Sequence, residues 1–343
     1  MKSARTARAH VRRVAGIALA LTLFGSLAAC GGDDPKAGAP EAAASSSTPP
    51  PEPDTEPLTG AELPLGESAA RDHSVLVVKI DNVEDSTPQL GLSKADLVVE
   101  EEVEGGATRL AAFYYSTLPK EVGPVRSMRA SDIGIVSPVN ASVITSGAAQ
   151  VTIDRIQGAG VRFFQEGVDG IYRDTSRYAP HNVFADLKTL AKQADNAEGR
   201  PADYLPWGVE SDFVGVRPAT QFTADFGYVR SSDWEYAGGK YVNTNSFAAD
   251  GDQFPADTVL VLRVRTGDAG YLDPAGNPVP ETKLVGKGPA LIFHAGQLMR
   301  ATWNKTDLAA PMSLSTPAGE VRIPSGRVWI ELVPMSTGSV TFR

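Results

Sequence analysis

Apolar and polar positions divide the chain into stretches of different character. Residues 14–27 are small and almost wholly apolar, whereas 31–57 hold hardly one large apolar side chain. A continuous apolar run at 74–80 then ends on Asp81-Asn82, which predicts a buried strand closed by a turn. Runs at 97–103 and 108–115 predict two more strands, and Gly105-Gly106 between them predicts a hairpin. Mixed spacing over 149–157 and 183–196 predicts short helices, the second entered at His181-Asn182, where Asn caps. After Phe226 the pattern changes to strand-like runs at 228–236, 240–245, 259–265, 290–295, 297–303 and 328–333, split by Gly, Pro, Asp and Asn. The expected fold is an α+β, or mixed α/β, N-terminal domain at 58–200 followed by a smaller, mainly β C-terminal domain at 227–343. The connection at 201–226 carries Pro201, Pro206 and Pro218.

The first apolar stretch is too short for a comfortable transmembrane helix and follows five basic residues, Lys2, Arg5, Arg8, Arg12 and Arg13. It ends in Leu27-Ala28-Ala29-Cys30, the pattern of a bacterial lipoprotein signal peptide (1–29) cut before the cysteine. Arg12-Arg13 also permits a twin-arginine export reading, although Val14-Ala15-Gly16 continues it poorly. A thiol and a new amine at Cys30 accept acyl chains such as palmitate, and each buried methylene contributes ~0.8 kcal/mol to anchoring. The Ala/Ser/Pro/Gly-rich segment at 30–57 then reads as a disordered tether. The expected location is the extracytoplasmic face of the cell membrane, with the lipid anchor as the membrane contact.

Removing the leader leaves 27 Lys+Arg against 41 Asp+Glu, a balance of −14. That excess of acid argues against a nucleic-acid partner. Cys30 is the one cysteine, so no internal disulfide forms. No metal-ligand spacing, phosphate loop or nucleophile elbow is present, and no cofactor is expected.

Three polar constellations stand out in the first region. Asp81 and Asn82 precede Glu100, Glu101, Glu102, Glu104, Thr108 and Arg109; strand alternation puts Glu100, Glu102 and Glu104 on one surface and Glu101 on the other. Arg126, Arg129 and Asp132 would share a face if their segment is helical, and paired guanidinium forks suit carboxylate or phosphate. Arg173, His181 and Asn182 close the set; with His73 and His294 the only other histidines of the mature chain, His181 is the candidate general acid or base. The plain alternatives are a solvated strand face with Arg109 as its counter-ion for the first, an internal ion-pair network with the glutamates for the second, and a capping or packing histidine for the third. His294 reads as a core residue, and Trp303 and Trp329 as core aromatics before sugar platforms.

The segments Val78-Lys79-Ile80-Asp81-Asn82, Gly91-Leu92-Ser93-Lys94-Ala95-Asp96-Leu97-Val98-Val99-Glu100-Glu101, Glu104-Gly105-Gly106-Ala107-Thr108-Arg109, Gly123-Pro124-Val125-Arg126-Ser127-Met128-Arg129 and Ala179-Pro180-His181-Asn182 resemble the hallmarks of the YerB-like bacterial lipoproteins. The resemblance spans about residues 57–343, extending through Gly286-Lys287-Gly288, Trp303-Asn304-Lys305 and Trp329; Ala301 stands where that family usually has glycine. It implies a two-part domain of unknown function and an exported location, without a settled chemistry.

The leading expectation is a non-catalytic lipoprotein that binds or scaffolds an anionic or carbohydrate envelope component. Its binding residues would be Asp81, Asn82, Glu101, Arg109, Arg126, Arg129, Asp132, Arg173 and Asn182, with the arginines holding the ligand. The alternative is an envelope-directed hydrolase, in which Glu100, Glu101 or Glu104 shares acid and base roles with His181 while Asp81 or Asp132 orients them. A third reading is a protein-interaction module that regulates envelope enzymes.

Overall fold

Strands β1 (Leu76–Asn82), β2 (Leu97–Glu102) and β3 (Thr108–Tyr114) are buried at every position, as their near-continuous apolar runs require of strands covered on both faces. The computed structural model describes residues 52–194, 199–215 and 217–343. The expected signal peptide, Cys30 and nearly all of the tether lie outside them. Among the described residues no helix is long and apolar enough to cross a membrane.

β1 and β2 both pair antiparallel with β3, the latter through the expected Gly105-Gly106 hairpin. Both glycines have positive φ, as the connection requires. Parallel to β1 lies β4 (Ser142–Thr145), and beyond it β5 (Phe163–Gln165). A separate small ribbon joins β6 (Ile171–Arg173) to β7 (Val183–Ala185). The helices are α1 (Asp132–Val136), α2 (Gln150–Gly158) and α3 (Leu187–Ala191).

The later strands are β8 (Gln221–Asp225), β9 (Ser231–Ala237), β10 (Lys240–Asn243), β11 (Thr258–Leu272) and β12 (Pro278–Lys283). They continue with β13 (Gly286–His294), β14 (Gln297–Lys305), β15 (Ser313–Thr316), β16 (Val328–Pro334) and β17 (Ser339–Phe342). β16 lies between β11 and β2, parallel to both, so the two sequence regions share one sheet with the order β15-β14-β13-β11-β16-β2-β3-β1-β4-β5. A four-stranded sheet, β10-β9-β8-β17, is separate.

Two apolar cores lie on the two faces of the long sheet. On one, Val75, Val77, Val99, Phe113, Leu260 and Ile330 pack with α1 and α2 through Ile133, Val136 and Ile156. On the other, Val78, Ile80, Val98, Leu110 and Trp329 pack with α3 and with Phe222, Trp234 and Tyr241 of the small sheet. Trp303 and Trp329 are buried, as is His294, whose Nε2 lies 2.9 Å from the Glu210 carboxylate.

Two local expectations change. Residues 183–185 form a strand, because Val-Phe-Ala pairs with β6; the helix starts only at Leu187, where the Asp186 carboxylate accepts from the Lys188 and Thr189 amides at 2.9 and 3.3 Å. Asn182 is therefore no cap. The Arg126–Arg129 segment is not helical either: the Asp81 amide donates to the Pro124 carbonyl and the Arg126 amide to that of Lys79, so this segment covers the edge of β1.

Candidate functional site

Asp81, Arg109 and Glu101 are directly opposite one another across β1, β3 and β2. Alternation puts Lys79 on the same face, at the end of the column that begins with Val75 and Val77. The Lys79 Nζ donates to Glu101 Oε1 and Asp132 Oδ1, both at 2.7 Å and wholly out of solvent. Burial pulls the ammonium pKa down, yet the two carboxylates outweigh it and hold Lys79 above the usual lysine range. Burial raises the Glu101 carboxyl, with Asp132 adding to the shift and Lys79 opposing it.

Glu104 lies just past the end of β2, in a short turn where strand alternation no longer applies. It joins Arg129, whose Nε donates to Oε2 at 2.8 Å while Nη2 holds the other oxygen. Glu104 therefore belongs with Glu101 and Arg109, and the expectation that it shares a surface with Glu100 is corrected. Arg109 lies 3.7 Å from Glu104 and donates to the Ser127 carbonyl at 2.8 Å. Burial, and then the neighbouring Arg126 guanidinium, bring Arg109 down to about 10.

This cluster opens toward solvent at Asp81. One carboxylate oxygen, Oδ2, holds both His181 Nδ1 at 2.6 Å and Arg126 Nε at 3.2 Å. Their side chains are 19% and 22% exposed, whereas Arg109 and Arg129 are sealed at 6% and 8%. The Arg126–Met128 segment lies against the carboxyl end of β4: the Ser146 amide donates to the Arg126 carbonyl at 3.2 Å, and the Met128 amide to that of Gly147 at 3.1 Å. β1, β2, β4 and β5 run in one direction, so Asp81, Glu101, Thr145 and Gln165 mark a shared carboxyl-terminal edge. In open α/β sheets that edge is where ligands bind.

Arg173 is removed from this rim. It chelates Glu166 at 2.5 and 2.7 Å and donates to Asn182 Oδ1 at 2.7 Å.

Asn82 and Glu100 point to the opposite face. Glu100 Oε1 accepts from Thr108 at 2.7 Å and Asn82 at 2.9 Å, and Oε2 accepts from Ser232 of the small sheet at 2.9 Å. Gln89 donates to the Asn82 side chain at 2.9 Å, and Arg230 lies 3.5 Å from Glu100. Directly opposite Glu100 in the parallel pairing is Glu331, which takes the Trp234 indole N–H at 2.8 Å. Burial, then the Glu100 charge, drives the Glu331 carboxyl well above the usual glutamate range, which favours its neutral form beside Glu100.

The structure thus brings Asp81, Glu101, Glu104, Arg109, Arg126, Arg129, Asp132 and His181 together, and separates Asn82 and Glu100 from them by the thickness of the sheet. Sequence reasoning did not pick out Lys79, Ser232, Trp234 or Glu331. Lys79 and Glu331 carried a signal, since each is a single charge inside an apolar strand. Among the described residues no group of three or more His, Asp or Glu side chains could hold a metal ion.

Fold and site together define a two-part family domain whose halves share one sheet. The N-terminal domain of the protein of unknown function DUF3048 matches residues 58–200 and its C-terminal domain matches 221–330; the chain belongs to this family. A relative is YerB of Bacillus subtilis (strain 168), whose name carries a provisional lipoprotein designation. It is 23% identical over 304 residues, covering 81% of this chain and 86% of YerB. The crystal structure of the YerB protein superposes with a TM-score of 0.70 at 19% identity, covering 84% of this chain and 99% of that one; this likeness is one of fold.

Proposed function

We propose that the chain is a lipid-anchored protein of the extracytoplasmic face of the cell membrane that binds an anionic envelope component at the rim formed by Asp81, Arg126 and His181. The lipoprotein designation of YerB and the Cys30 leader pattern support the anchor. The observation carrying the binding reading is the double hold of Asp81 Oδ2 on His181 and Arg126. One carboxylate holds an imidazole by a hydrogen bond and a guanidinium by an ion pair, side by side where both side chains remain partly exposed, and a guanidinium held this way recognises carboxylate or phosphate oxygens with little loss of side-chain entropy. The binding role expected for Arg129 and Arg173 now falls to Arg126, since Glu104 and Glu166 already chelate the other two. Co-sedimentation of the full chain with purified wall material tests this: Arg126→Ala should cut retention severely, and undiminished retention overturns the reading.

One observation favours a second reading, that of a hydrolase. Asp81 fixes Nδ1 of His181 at 2.6 Å, and Nε2 has no hydrogen-bond partner among the described residues. That is how a carboxylate orients an imidazole for proton transfer. Glu104 shares the face with His181, whereas Glu100 lies behind the sheet. Product release from wall material that His181→Gln abolishes would support it, and no release from any envelope substrate would sink it.

A further inference from the structure

A second concentration of positive charge lies in the C-terminal half. Arg263 and Arg265 on β11, Lys283 ending β12 and Lys287 on β13 line a cleft of about 200 Å³ together with Val285, Gly286, Trp303 and Met335. No carboxylate lines it, in a chain whose formal charge is −9. Arg265 and Lys283 are directly opposite each other in the antiparallel pairing. Like charges so placed repel and destabilise the strand pair unless something neutralises them. The nearby acid, Glu281, is already shared: Arg155 donates to it at 2.7 and 3.0 Å, and Lys283 lies 3.0 Å away. Arg265 and Lys287 are exposed and have no ion-pair or hydrogen-bond partner among the described residues.

The walls are rigid where it matters. Arg263 Nη2 donates to the carbonyls of Pro334 and Gly338 at 3.0 and 2.7 Å, and the Trp303 indole N–H donates to the Arg263 carbonyl at 3.0 Å. The guanidinium is thus fixed by the end of β16 and the turn after it, while Arg265, Lys283 and Lys287 surround the opening. Gly286 has a φ of +128° and nothing near its missing Cβ, which keeps the entrance backbone in a shape other residues resist.

We infer that this cleft is a binding site for a phosphate group, the diester or terminal phosphate of a larger envelope molecule. Four cations around a small concave volume, two of them, Arg265 and Lys287, without an internal partner, suit the charge of phosphate, and the free guanidinium fork of Arg265 matches its oxygens. A single carboxylate would leave most of that charge uncompensated. The site is independent of the Asp81 rim and stands whether or not that rim binds an anion.

The test uses the full chain in detergent, with inorganic pyrophosphate as the soluble probe in calorimetric titration at low salt. Phosphatidylglycerol vesicles form the second arm, in co-sedimentation. Arg265→Ala combined with Lys287→Ala removes two exposed charges with no internal bonds, so the fold is kept; a Lys188→Ala/Lys192→Ala pair on the exposed side of α3 removes the same charge elsewhere. The site predicts that the first pair weakens pyrophosphate binding at least tenfold while the second leaves it within twofold. A parallel loss of vesicle binding identifies a lipid headgroup as a natural source, and vesicle binding absent from the wild type identifies a soluble phosphate. Failure of the wild type to bind either probe overturns the inference, as does equal loss in the two double variants.

Discussion

Glu100 and Glu331 face each other across adjacent parallel strands with neither carboxyl in contact with water. One comes from each sequence region, and burial with the Glu100 charge beside it favours the neutral form of Glu331, which avoids the repulsion of two buried charges. A raised carboxyl means that the folded state holds a proton the unfolded chain releases. The stabilisation is therefore complete below the ordinary glutamate value of 4.5 and is lost as pH rises through the elevated folded value. Glu331→Gln keeps a neutral side chain beside Glu100 and an acceptor for Trp234 while removing the titration. Urea unfolding across pH should show the wild type losing stability with rising pH and the variant losing less. Glu331→Ala, which strands the Trp234 indole N–H and leaves a cavity, should cost about 3 kcal/mol.

Lys79 makes a complementary prediction. Replacing it with Met leaves Glu101 and Asp132 buried beside one another without their cation. A loss of about 3–5 kcal/mol is expected from breaking such a buried set. Adding Glu101→Gln and Asp132→Asn to Lys79→Met should recover much of that loss in chemical denaturation. A triple variant no more stable than the single one would show that the network contributes something other than charge balance.

The central strands and their hairpin were legible because 74–80, 97–103 and 108–115 are long apolar runs with one glycine pair between two of them. Strands such as β4 and β8 were missed, as their four or five residues gain burial only from partners distant in sequence. Most of the polar cluster was legible as a set of residues, since charges at the ends of apolar strands stand out. Its division into two faces was half legible: alternation separates Glu100 from Glu101 correctly, but Glu104 follows the end of the strand and obeys the turn instead. The partner of Glu100 could not be foreseen, because Glu331 lies more than two hundred residues away and meets it only through the parallel pairing of β2 with β16.

Asp81 holds the rim, so its removal should act on binding through two neighbours at once. Asp81→Asn weakens the hold on both Arg126 and His181, and a loss of roughly tenfold in affinity for wall material is expected from the freed guanidinium alone. His181→Ala should lose less, because Arg126 keeps its carboxylate. Equilibrium pull-downs with the two variants side by side give the ranking, and a larger effect for His181→Ala would point to the hydrolase reading instead.

The most direct test of the account is the equilibrium affinity of the full chain, solubilised in detergent, for purified anionic wall polymer, measured for the wild type and for Arg126→Ala with the thermal midpoint of each. Binding should weaken with salt and fall tenfold or more in the variant, with midpoints within about 2 °C of each other, since Arg126 is a partly exposed rim residue. Identical isotherms for the two proteins would contradict it.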